Sequence, residues 1–109
     1  MGITKTENFT QEQNAIACLA KVLGHPARIA ILEYIIKSQS CVCGSIVDEI
    51  GLAQSTISQH LKELKKVGLI QGKIEGTSVC YCINTENWNL LKKQFNNLFD
   101  SAINGIECC

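Results

Sequence analysis

The sequence predicts a mostly α-helical fold, five helices with a two-stranded β-hairpin wing, in the order of a winged helix-turn-helix. Three observations carry this. Two amphipathic helical segments are separated by only two or three residues after Gly51. A strictly alternating segment, "SVCYCIN", follows them behind a glycine-containing turn. A long final segment carries a wide apolar band at helical spacing.

After a polar N-terminal arm, Ala15, Ile16, Leu19, Val22 and Leu23 recur with helical period and stop at Gly24. His25-Pro26 opens a second helix, proline being tolerated in a first turn. "ARIAILEYII" is apolar nearly all round, which marks the central, most enclosed helix. "GSIVDEIG" is a short helix with a Ser45/Asp48 capping-box pattern and Gly51 as its stop. "AQSTISQHLKELKKVG" places Ile57, Leu61 and Leu64 on one stripe and ends at Gly68. In the strand, Val79, Tyr81 and Ile83 alternate with Cys80, Cys82 and Asn84, and the two cysteines are expected to face outward. The last helix, from about Glu86 to Gly105, aligns Trp88, Leu91, Phe95, Leu98, Phe99, Ala102 and Ile103. That band is wide for the outer helix of a small monomer, so part of it is expected to pack against a second subunit.

At 109 residues and 46% hydrophobic content, residues 1–109 suit one domain with a genuine core. No run of 18 apolar residues is present, so no membrane span is expected. "MGITKTENFTQEQN" has no apolar signal-peptide core, which points to the cytoplasm. Seven cysteines are many for a reducing compartment, and an odd count fits metal binding or thiol chemistry better than structural bridges. Ten basic residues balance ten acidic ones, yet between Gln54 and Ile74 four lysines (Lys62, Lys65, Lys66, Lys73) face one glutamate, Glu63. A local basic patch matters more for nucleic-acid contact than the global sum.

With Ile57, Leu61 and Leu64 pointing inward, a helix advancing about 100° per residue presents Ser55, Gln59, Lys62 and Lys66 on its opposite meridian. Thr56 and Ser58 flank them near the N-terminal end, where a reading helix enters a major groove. Hydroxyls and amides suit base edges, and lysines suit phosphates. The expected DNA contacts are therefore Gln54, Ser55, Thr56, Ser58, Gln59, Lys62, Lys66 and Lys73. His60 falls at the edge of the core stripe and is read as a packing residue.

Cys41 and Cys43 stand before the first helix of that pair, in "SQSCVCGSIVDEI". On a helix they would point about 200° apart, whereas on an extended or bent approach they share a side and can share an ion, with Gly44 easing the bend. Cys18 lies on the stripe of Ala15 and Val22 and is expected in the core. Cys80 and Cys82 share a strand face but sit on a wing, a poor platform for a selective site. Cys108 and Cys109 close the chain and have no packing purpose there.

"LGHPARIAIL", "LAQSTISQHLKELKKVGLI" and "EGTSVCYCIN", in this order, resemble the ArsR/SmtB family of small metal-responsive repressors, over roughly Ala15 to Asn104. "CVC" at that position resembles the family's thiolate-sensing branch. The resemblance implies a homodimer built on the first and last helices, bound to double-stranded operator DNA without any cofactor. It also implies release by a thiophilic ion, As(III) or Sb(III) first, with Cd, Pb or Zn as alternatives. The family usually has serine where Ala53 stands, a cap worth about 0.5–2 kcal/mol. In arsenic-sensing members a third cysteine follows three residues after the second, and here that position is Ile46. The metal set expected is thus Cys41 and Cys43 with a third sulfur from Cys108 or Cys109. A redox or persulfide sensor of the same fold is the main rival. A thiol oxidoreductase is disfavoured, since neither a CxxC nor an activated cysteine is visible, and the chain is not expected to be an enzyme.

Overall fold

Thr10 starts the first helix: its hydroxyl accepts the Gln13 backbone N–H at 3.1 Å, and its own N–H donates to Gln13 Oε1 at 2.9 Å. This reciprocal cap satisfies two of the donors that every helix start leaves open. The structure, a computed structural model, describes residues 8–102. Helix α1 runs Gln11–Leu23 and α2 Pro26–Ser38. His25 caps α2, its Nδ1 accepting the Ala27 N–H at 3.1 Å. Ile31, Leu32 and Ile35 of α2 are buried, but Ile29 and Ile36 remain at the surface. The central helix is enclosed on one side only.

Gln39 ends α2 in the left-handed region, at φ 56°, and the chain turns through Cys41–Cys43 into α3, Ser45–Ile50. The expected Ser45/Asp48 cap is not made. Gly44 is the N-cap residue, without a side-chain bond, and the Ser45 hydroxyl is engaged by Tyr34 Oη–H at 2.7 Å. A two-residue break after Gly51 leads through Ala53 to α4, Gln54–Lys66. Strands β1, Ile70–Glu75, and β2, Ser78–Ile83, form the antiparallel wing, from Ile70 opposite Ile83 to Glu75 opposite Ser78. Helix α5 covers Thr85–Asp100, with Asn84 Oδ1 accepting the Asn87 N–H at 3.2 Å. The expected extension of this helix through Ile103 to Gly105 lies outside the described residues.

One cluster joins Leu19 and Val22 of α1, Ile31, Leu32 and Ile35 of α2, Ile46 of α3, Ile57, Leu61 and Leu64 of α4, and Leu69 and Ile70 leading into the wing. Helix α5 buries none of its residues fully. Trp88, Leu91 and Phe95 lean on the core, while Leu90, Leu98 and Phe99 stay exposed, Phe99 by 66%. Among the described residues no single helix is long and apolar enough to cross a membrane.

Two sequence expectations about cysteines are overturned. Cys18 is exposed: the core stripe of α1 is Leu19 and Val22, and Cys18 lies off its edge. Cys80 is not outward-facing but wholly buried, at 0% exposure, whereas Val79 beside it is 46% exposed. Both parities of β2 are apolar, so alternation alone does not say which of them the core takes.

Candidate thiol cluster and nucleic-acid interface

The segment before α3 joins the wing as a short third strand. Val42 N–H donates to Tyr81 O at 2.9 Å and Tyr81 N–H to Val42 O at 2.7 Å, an antiparallel bridge. In such a ladder the residues on either side of a hydrogen-bonded pair form close, non-hydrogen-bonded pairs, with Cα atoms about 4.5 Å apart and side chains on the same face. Here those pairs are Cys41 with Cys82 and Cys43 with Cys80, at Cα–Cα distances of 4.3 and 4.1 Å. All four sulfurs therefore occupy one face of the sheet, while Val42 and Tyr81 occupy the other. In the structure each pair is joined as a disulfide.

Burial grades across the array. Cys43 is exposed, Cys41 and Cys82 are half-buried, and Cys80 is buried. Glu75, at the end of β1, brings a carboxylate oxygen within 4.8 Å of the Cys43 and Cys80 sulfurs. Of the expected metal set, Cys41 and Cys43 stand at the centre of this cluster, and Cys108 and Cys109 lie outside the described residues. Cys80 and Cys82, set aside on sequence, are brought directly against them. The signal available was the pair of C-x-C segments itself. Each has the two-residue period of a strand, so two such strands laid antiparallel can match cysteine to cysteine.

The opposite end of the short α3 feeds the break into α4. Gln54, Ser55, Thr56, Ser58, Gln59, Lys62, Lys66 and Lys73 are all exposed, and Gln54 Nε2 donates to Ser58 Oγ at 3.1 Å. A groove of about 330 Å³ runs from Cys43 past Tyr81 to Gln54 and Ser58, so Cys43 borders the N-terminal half of α4. His60, on the inner side of α4, is 7% exposed. Its Nδ1 accepts from Arg28 Nε at 3.1 Å, and Arg28 also donates to Val22 O at 3.1 Å. The His25 ring lies 4.5 Å away, centroid to centroid. Burial first, then the neighbouring His25 and Arg28, pushes the His60 pKa below its ordinary value. The histidine is a packing residue that ties α4 to α2.

Residues 25–71 match the family model described as "Bacterial regulatory protein, arsR family". The chain is 44% identical over 64 residues to the uncharacterized HTH-type transcriptional regulator MJ1325 of Methanocaldococcus jannaschii, covering 58% of this chain and 71% of that protein. It is 30% identical over 97 residues to the HTH-type transcriptional regulator YgaV of Escherichia coli, covering 89% of this chain and 98% of that protein. It spans about half the length of several other curated regulators that it matches. The fold is similar to a homodimeric winged helix-turn-helix DNA-binding domain from Mycobacterium bovis, Mb0332, at TM-score 0.66 and 23% identity, over 98% of each chain. MJ1325 and YgaV are named as regulators of transcription, and this chain belongs to the arsR family of bacterial regulatory proteins.

Proposed function

We propose that the protein is a homodimeric repressor that reads operator DNA with α4 and leaves it when thiols centred on Cys41 and Cys43 take up a thiophilic ion, As(III) or Sb(III). The observation that carries this is the position of the thiols. The two cysteines flank Val42, which is bonded to the wing at Tyr81, and they stand directly before the helix that leads into α4. Pulling their sulfurs together alters the path of the chain into α3 and the angle of the wing, the two supports of the reading helix. The exposed row from Gln54 to Lys66 supports the DNA-reading role. Exposed Leu98 and Phe99 on α5, with α1 beside that helix, support a dimer built on the first and last helices. DNA binding itself needs no cofactor in this reading.

A second reading, release by thiol oxidation, is favoured by one observation: the two cysteine pairs stand as disulfides. Titrating the reduced dimer with arsenite and, separately, with peroxide while following operator binding tests both. Release by arsenite supports the ion reading, release by peroxide alone the redox reading, and release by neither overturns both.

A further inference from the structure

We propose that the wing completes the ion site: one of Cys80 and Cys82 of the same subunit, and not a C-terminal cysteine, joins Cys41 and Cys43 as the third sulfur of a site for a pyramidal trivalent metalloid. The inference rests on the reading of Cys41 and Cys43 as sensor thiols and adds the identity of their partners.

The geometry comes from the strand pairing. Across the ladder the cysteine Cα atoms are 4.3 and 4.1 Å apart. Along each strand, two residues advance by roughly 7 Å, a gap that two side chains leaning toward each other can close. The four sulfurs thus form a patch on one face of a sheet. A tetrahedral ion such as Zn(II) needs ligands on all sides, which a patch on one face does not offer. A trivalent arsenic or antimony atom bears a lone pair and binds three sulfurs from one side, as the apex of a shallow pyramid. Cys41, Cys43 and either wing cysteine supply that base. Thiolate-only donor sets also favour soft ions over hard ones.

The patch is graded in a way that suits capture from solvent. Cys43 is exposed and makes first contact, Cys41 and Cys82 are half-buried, and Cys80 is buried. A small dithiol reductant gives two electrons and two protons to each disulfide and is itself oxidised to a disulfide. Each of three thiols then forms a bond to arsenic as one hydroxide leaves arsenous acid, the thiol proton departing with it as water. While the pairs remain oxidised, the same sulfurs have no free valence for the ion.

Cys41 and Cys43 belong to the approach to α3, and Cys80 and Cys82 to β2. An ion shared between them clamps the wing to the helix-turn-helix within one subunit. The site is therefore complete without the partner, with one ion per chain.

The test is a protection experiment on the full-length, pre-reduced wild-type protein. Arsenite is added, free thiols are alkylated with iodoacetamide, and each cysteine is read by mass spectrometry. The expected result is strong protection of Cys41 and Cys43 together with Cys82 or Cys80, relative to a sample without arsenite, while Cys108 and Cys109 alkylate fully. Protection of Cys41 and Cys43 with the tail cysteines, and none of Cys82 beyond the control, overturns the wing assignment and leaves the sensor reading standing. No protection at Cys41 and Cys43 overturns both. A second arm uses Cys80→Ala with Cys82→Ala, checked for operator binding without arsenite as evidence of folding. Arsenic-edge absorption should show three sulfur neighbours in the wild type and in Cys108→Ser with Cys109→Ser. The wing double variant should retain only two, and three sulfurs there would overturn the proposal.

Discussion

Val42 and Tyr81 exchange both of their backbone hydrogen bonds, at 2.9 and 2.7 Å, and so bind the segment before α3 to the middle of the wing. Every feature of the thiol cluster follows from this one bridge. It sets Cys41 opposite Cys82 and Cys43 opposite Cys80, turns the sulfurs to one face, and places them at the junction between the wing and the helix-turn-helix. Val42 is itself buried. Val42→Ala should therefore cost about 1.5–3 kcal/mol in chemical denaturation, from lost burial and the space left behind, with operator binding retained at low temperature. An unchanged midpoint would show that this strand is not part of the cooperative core.

On the reading face, Gln59→Ala and Lys62→Ala should fail in different ways. Loss of an amide contact to a base edge should weaken operator binding by about 1–3 kcal/mol and leave binding to random DNA unchanged. Loss of a phosphate contact should weaken both, and should flatten the slope of log affinity against log salt by about 0.9 per lysine in contact. Fluorescence anisotropy across a salt series separates the two. Wild-type behaviour in both variants would remove α4 as the reader.

How far the sequence alone could lead depends on whether a feature is local. The stripe of Ile57, Leu61 and Leu64 and the stop at Gly51 are set by near neighbours, and helix-turn-helix and wing were both legible. The pairing of Cys41 with Cys82 joins residues 41 positions apart, and no local pattern announces it. Alternation in "SVCYCIN" tells which residues share a face, but cysteine packs as a small apolar residue. Both faces therefore looked fit for the core, and the wrong one was assigned to Cys80. Cys18 failed for a related reason: its spacing from Ala15 and Val22 is helical, but it sits one step off the line through Leu19 and Val22. Glu75 had no signal at all, since its place near Cys43 and Cys80 exists only once the third strand is paired.

The dimer face makes a direct prediction. Leu98 and Phe99 are 49% and 66% exposed, and Phe99 stacks on Phe95 with ring centroids 6.1 Å apart. Phe99→Glu or Leu98→Glu should shift the protein from dimer to monomer in sedimentation at micromolar concentration, and operator affinity should fall with it, because paired half-sites require paired reading helices. A stable dimer in both variants would place the interface elsewhere.

Acid should loosen the fold through His60. Its folded-state pKa lies below the ordinary value of 6.5 because of burial, His25 and Arg28, in that order. Above that value the ring is neutral in both folded and unfolded chains, and His60 contributes no pH dependence. As pH falls below it, the unfolded chain takes up a proton that the folded one resists, so stability declines. Thermal unfolding between about pH 7.5 and 5 should show a falling midpoint for the wild type and a shallower fall for His60→Gln, whose amide can still accept from Arg28. Parallel curves would acquit His60.

The central claim is that ion uptake and DNA binding oppose each other through one hinge, and linkage gives it a strict form. If saturating arsenite weakens operator affinity by some factor, saturating operator must weaken the overall affinity for the dimer's two ions by the same factor, and so each ion's affinity by its square root. The decisive measurement is arsenite binding to the reduced dimer by calorimetry, alone and in the presence of saturating operator. The account predicts weaker arsenite binding on DNA, the product of the two per-ion factors equalling the loss of operator affinity measured separately. Equal arsenite affinity in the two states would contradict it, because an ion that binds both conformations alike shifts neither.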